Sequence, residues 1–293
     1  MPFREDEGGN RAEVEGAASG VSTHGRIERR NRPRSYLRLV GGYLKANISM
    51  EMEYGASFVT RVLGMLLNDC MWLAFWVLYF TRFPALSGWE RNDVVALWAV
   101  TALGYGIAYS LFGNSRSLAR IIVNGDLDFY LVYPKDVLLH TLCSKMDVTA
   151  LGDALFGPLV YFSIVRPGPR RAVLFFLSGL AVAAILLGFT VIAHPLAFFI
   201  GNSETLASQL FDAMVAFATY PSDIFQGVAK VLLFTAIPAG FINSIPVRVI
   251  KKGDPSFLLL VATAAAVLLL GGRALFSMGL RRYESGNLVR ARL

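Results

Sequence analysis

Few residues of this chain stand in arrangements that perform covalent chemistry. The dipeptide Gly-Lys never occurs, so there is no G-x-x-x-x-G-K-S/T loop and the chain does not itself hold ATP that way. C-x-x-C, H-E-x-x-H and G-x-S-x-G are absent as well, and His24, His140 and His194 are scattered. Metal and hydrolase chemistry therefore have no support, and no metal or cofactor is expected on this chain. Cys70 and Cys143 are too few for a disulfide framework. The informative polar groups are of another kind, because they interrupt apolar runs. Asn68 and Asp69 fall near the middle of one such run, and Asp153, Asp212 and Arg273 fall nearer the ends of others. An ionised Asp at the centre of a membrane helix costs about 2.5–3.5 kcal/mol, so such a residue faces a bundle interior or a water-filled path. Asn68, Asp69 and Asp212 are thus candidate pathway-lining residues. The plainer reading of Asp69, a buried carboxyl hydrogen-bonded to a neighbouring Asn or Ser, weighs somewhat more. A pair between Asp69 and Arg273 is conceivable but disfavoured, since their depths differ by several ångströms.

Those residues need a scaffold, and the composition states which. The 293 residues are 55% hydrophobic and only 17% charged, with a mean hydropathy of +0.51. Globular chains average about 25% charged residues. An all-α integral membrane protein is expected, with six transmembrane helices at about 58–80, 94–112, 148–165, 172–200, 205–220 and 257–280. The segment 166–171 is a turn, since its prolines and glycine cannot continue a helix. His194 and Pro195 predict a kink. Small residues at Gly104, Gly106, Ala184 and Gly188 suit close helix packing. The tryptophans, among them Trp72 and Trp98, read as packing residues or interface anchors.

The net charge of +7 reads as topology rather than as a nucleic-acid partner, because no basic patch is interleaved with aromatics. Residues 1–33 have the composition of a disordered tail and lack the apolar core of a signal peptide. On a helical wheel Arg34, Arg38 and Lys45 share a narrow face opposite Tyr36, Leu37, Val40, Tyr43, Leu44 and Ile48, so 34–49 is an amphipathic interfacial helix. Six spans put both termini on one side, and the arginines of 34–45 and 281–292 make it the cytoplasm. The segment 113–146 is then cytosolic. Arg166, Arg170 and Arg171, like Arg248, Lys251 and Lys252, fall outside against the rule. The segment 221–250 is too broken by Pro221, Pro238 and Pro246 to span and too apolar for a solvated loop, so a pair of short re-entrant helices is expected.

In the cytosolic segment, Leu118, Ile121 and Ile122 mark a short helix that Asn124 and Gly125 cap, and Asp128 could cap another turn that Pro134 stops. Such a rigid element gives a partner something to push on. At these residues the chain resembles permease subunits of the ABC-2 type, in the branch with a single six-span unit and no fused ATPase. Asn124, Gly125, Asp126, Leu127, Asp128 and Pro134 are similar to the family's "G-x-L-D…P" stretch. Tyr220, Pro221, Ile224, Phe225, Ile237, Pro238, Phe241 and Pro246 resemble its "Y-P…I-F…I-P-A-x-F…P" segment. Residues 279–287 are close to its "G-L-R-R-Y-E-S-A-N" tail, with Gly286 in place of Ala. The likeness covers 34–293, taken as one transmembrane domain.

The resemblance implies a permease working in pairs, with an identical or paralogous second permease. A cytosolic ABC ATPase subunit would carry the ATP and Mg. Ser117 to Pro134 would be the coupling element and 34–49 a connecting helix that also touches the ATPase. Tyr220, Pro221, Phe225, Pro238, Phe241 and Pro246 would close the pathway from outside. Export across a bacterial cytoplasmic membrane belongs to the same implication. The rivals are an ion-gradient transporter, which would show charged broken helices in both halves of a repeat, and a scaffold, which would need no stiff 113–146 element.

Overall fold

A computed structural model describes residues 33–201 and 203–283. These residues form helices and turns, with one isolated bridge between Leu86 and Trp89 and no β-strand among them. The amphipathic helix α1 runs Pro33–Glu53 and is longer than its expected range. Four elements are long and apolar enough to cross a membrane: Gly55–Arg82 (α2), the run Arg91–Asn124, the run Pro169–Ile200 and Ser256–Leu280 (α14). Two further apolar helices are shorter. Ala150–Val160 (α7) continues as a π-helical turn to Val165, a length of about 24 Å, and Glu204–Ala218 (α10) is about 22 Å long. The expected third and fifth spans are thus shorter than a bilayer core. Asp147 accepts from the amide and hydroxyl of Thr149, which delays the start of α7, and Arg166 in the left-handed region ends its π turn.

The interior helix is Arg91–Phe112 (α3), which packs on α7 and on Pro169–Ala193 (α8), while α14 packs on the other side of α8. Backbones approach closely where side chains are missing. A Cβ at Gly106 would sit 2.3 Å from the amide nitrogen of Ala154, and one at Gly157 would sit 2.5 Å from the carbonyl of Ala99. Within lipid there is no water to drive helix association, so this interdigitation is what holds α3 against α7. Glu90 and Asp93 form a capping box that starts α3, and Pro169 opens α8 in its first turn, where a missing N–H costs nothing. α8 gives way at His194–Leu196 to a 3-10 turn and then to Ala197–Ile200 (α9).

The connections gather at two ends. The loop 83–90, the turn 166–168 and the segment 219–255 share one end: Trp89 bonds Asp223, and Arg170 acts electrostatically on Asp254. The segment 113–149, α1 and residues 281–283 share the other. That second end has its own core, in which Leu118, Ile121, Leu127 and Leu142 meet Val191, Ala197 and Phe276. The sequence expectations for 1–32, 284–293 and the Arg34 side chain fall outside the described residues.

Candidate functional site

The segment 113–146 folds as a 3-10 turn Gly113–Ser117 followed by Leu118–Asn124 (α4), Leu127–Leu131 (α5) and Val137–Cys143 (α6). Gly125 takes φ 81°, so its amide reaches Ile122 while the amide of Asp126 reaches Ile121. This is a Schellman closure, and it needs a residue free to be left-handed. α5 begins at once, so Asp128 lies in its first turn and is not its N-cap, a correction to the sequence expectation. Asp126 holds the cap position without a side-chain bond.

Asn114, buried, ties the segment together: its side-chain nitrogen donates to the carbonyl of Thr141 at 2.9 Å and to Ser144 Oγ at 2.8 Å. His194 accepts from the amide of Ala119 at 3.3 Å, serving an N–H of the first turn of α4. Ser117 Oγ accepts from Arg120. Leu127 is fully buried, Asn124, Asp126 and Pro134 are exposed, and Asp128 lies against Tyr283. Burial, and then the neighbouring Asp128, push the Tyr283 hydroxyl up to about 12. Two of the three sequence stretches that carry the family likeness therefore meet in space. The segment also carries an exposed apolar patch of Phe129, Leu131, Val132 and Tyr133.

α1 docks onto this unit through polar contacts. The Tyr43 hydroxyl bonds His140 Nε2, and Asn47, buried on the same face, donates to the carbonyl of Cys143 at 3.4 Å. Burial, then the charge of Lys135, hold His140 below the usual imidazole range. Leu37, expected on the apolar face, is 74% exposed.

At the opposite end the segment 221–250 forms three short helices rather than two: Gly227–Leu232 (α11), Ala239–Ile242 (α12) and Ser244–Lys252 (α13). Asn243, fully buried, donates to the carbonyls of Phe217 and Tyr220 at 3.2 and 2.7 Å, pinning the end of α10. Phe225 packs on Phe217 and Phe241 on Phe234, while Tyr220 meets Trp76 edge-on. Pro221, Pro238 and Pro246 are buried, the last in the first turn of α13 where no donor is required. Asp223 gathers Trp89 Nε1 at 3.0 Å, Lys230 at 2.9 Å and Arg248 at 3.2 Å. Partial burial raises its pKa, but the bonds from Lys230 and Trp89 and the charges of Lys230 and Arg248 outweigh that and hold it below the usual carboxylate range. The bond from Lys251 to Asp93, at 2.7 Å, raises the Lys251 pKa. Of the basic residues that broke the charge rule, Arg248 and Lys251 are thus paired with acids.

Between the ends lies a cavity of about 450 Å³ in which Asn68, Asp69 and Asp212 come together with Asp153. Trp72, Trp98, Tyr105 and Phe211 supply aromatic wall. Trp72 and Trp98 stack, their centroids 6.0 Å apart and their planes within 19°. Arg116 closes this chamber toward the 113–146 end and also lines a second cavity, of about 440 Å³, on its far side. It donates to Asp147 at 3.1 Å and to the Tyr105 hydroxyl at 3.0 Å, and its guanidinium lies 5.0 Å from the centre of the Phe211 ring. Asp69 does not pair with Arg273, which correctly belongs to Asp136 at 2.8 Å, well toward the 113–146 end. Sequence reasoning missed Arg116, Asn114, Asn243 and Asp223, and read Trp72 and Trp98 as packing residues or interface anchors. Nothing local marks them, because their partners lie far along the chain.

Helices packed through small residues, four of them long and apolar enough to cross a membrane, define a polytopic membrane protein. The family model for "ABC-2 family transporter protein" matches residues 66–286, and the chain belongs to that family. No curated protein and no solved structure matches it.

Proposed function

We propose that this chain is the permease subunit of an ATP-driven exporter in a cytoplasmic membrane, working beside a second permease and a separate ATPase that carries ATP and Mg. The observation that carries this is the 113–146 unit. It shares an apolar core with the ends of α8 and α14, and its apolar patch around Phe129 and Val132 is exposed among the described residues. It joins α3 through the 3-10 turn that holds Arg116. A push on the unit therefore reaches the wall of the chamber directly. Six crossings, by α2, α3, α7, α8, α10 and α14, fit the sorting of the connections into two ends. With both termini cytoplasmic, 221–252 becomes the outer cover, held by Asn243 and Asp223. ATP-driven closure of the ATPase supplies the differential affinity that moves the unit between its two packings. The residues 117–134 bear the coupling and no residue of this chain does covalent chemistry.

The test is co-purification. A tagged chain, mildly solubilised from its native membrane, should bring down a P-loop ATPase, and a preparation that brings down none contradicts the proposal. Replacing Asp126 and Asp128 together by Ala should leave the protein inserted while ATP hydrolysis proceeds without transport. Unchanged transport would remove the coupling role.

A further inference from the structure

The chamber walls name a ligand chemistry. Four buried polar atoms there have no hydrogen-bond partner: Asp69 Oδ2, Asp153 Oδ2, Trp98 Nε1 and Thr101 Oγ1. Orphaned buried polar groups are rare and call for an explanation wherever they cluster. Asp69 is 3% exposed and Asp153 4%, and both line this partly open chamber. A third carboxyl, Asp212, shares the wall, and the one basic residue there is Arg116. Its charge is already taken up by Asp147, outside the chamber, and by Asp212 beside it. Asp69 and Asp153 are left without a cationic partner. Facing them is the stacked pair Trp72 and Trp98, whose π faces attract cations more than those of any other side chain. At about 450 Å³ the chamber has the size of a drug-like ligand site.

We propose that this chamber is a substrate site for an amphipathic organic cation, bound with its charge beside Asp69 and Asp153 and its apolar body against Trp72, Trp98 and Phe211. The inference rests on the permease reading above and gives it a substrate class. An anion would meet three carboxyls across one compensated arginine. A neutral ligand would leave Asp69 and Asp153 bonded to each other and Asp69 to Asn68, with one oxygen of each still unsatisfied in a low-dielectric space. A metal ion is a poor fit, because among the described residues no group of three ligating side chains converges.

Tetraphenylphosphonium and tetraphenylborate, alike in shape and opposite in charge, test this. The full chain in lipid nanodiscs is given labelled tetraphenylphosphonium, and displacement is followed. Saturable binding, displaced by unlabelled phosphonium and not by the borate, is expected. The Asp69→Asn, Asp153→Asn double variant should weaken it by about tenfold or more, since it removes both carboxyls that can carry negative charge beside the bound cation. Displacement by the borate, binding that does not saturate, or unchanged affinity in the double variant would overturn the proposal. The comparison of the two ions on the unaltered chain decides the matter even if the double variant does not insert. ATPase co-purification is read separately, so a failed cation site and a failed permease are distinguishable.

Discussion

Asp223→Ala removes the acceptor that joins the cover segment to the loop 83–90, and the size of the loss follows from its three bonds. Lys230 and Arg248 are 45% and 49% exposed, so each pairing contributes under about 1 kcal/mol. The bond from Trp89 Nε1 at 3.0 Å is made by a part-buried donor to a carboxylate, and bonds to charged groups contribute about 1.5–3 kcal/mol. The three share one carboxylate and are not additive, which leaves about 2 kcal/mol for local opening. That is about a thirtyfold gain in the rate at which the region exposes its amides. Hydrogen exchange read by mass spectrometry on the full chain should show it at Leu86, Trp89, Ile224 and Phe225, whose amides are bonded within the two joined turns. Peptides covering α6 should not change. Asp223→Asn, which keeps an acceptor for Trp89, should fall between. The Asp223 carboxyl is held below its ordinary range, so the lock is present at neutral pH and is lost only as pH falls through that lowered value, beneath about 3.9. Unchanged protection in the Ala variant, or an equal rise at α6, refutes the reasoning.

The docking of α1 should depend on pH in a higher window. Burial keeps His140 neutral when docked, whereas released it takes a proton near pH 6.5, so docking weakens as pH falls below that value. Exchange at residues 36–48, corrected for the intrinsic amide rate at each pH, should rise with acid in the unaltered chain and stay flat in His140→Gln. Gly106→Leu should lower the thermal midpoint, at a cost of about 3 kcal/mol, because the Cβ would meet backbone of Ala154 that cannot step aside. Gly64→Leu on α2, where nothing lies within 4 Å, is the control, and equal midpoints for the two would contradict the packing argument.

Much of the architecture is legible along the chain because the membrane imposes long-range order through local composition. Runs of apolar residues must become helices, since lipid offers backbone groups no other partner. That requirement makes α2, α3, α8 and α14 readable from hydropathy alone. Gly125, Pro169 and the break at His194 are readable for a related reason, because each acts on its own neighbours' backbone. The shortening of α7 and α10 was not readable. It depends on Asp147 capping the chain before α7 and on Asn243 reaching back to the end of α10, bonds whose partners no local pattern indicates.

The same division holds for the candidate site. Composition and periodicity by themselves determined an all-helical membrane chain with acids out of place at Asp69, Asp153 and Asp212 and a stiff segment after α3. They could rank Asp69 as lining or as plain core, but not choose, because one carboxyl in an apolar run looks alike in both cases. Only the tertiary structure decided that these acids face one chamber with Trp72 and Trp98, that Arg116 is its wall, and that Arg273 belongs to Asp136. Those facts are set by which helix faces pack together. Such faces are chosen by close approaches such as Gly106 on Ala154, between residues nearly fifty positions apart.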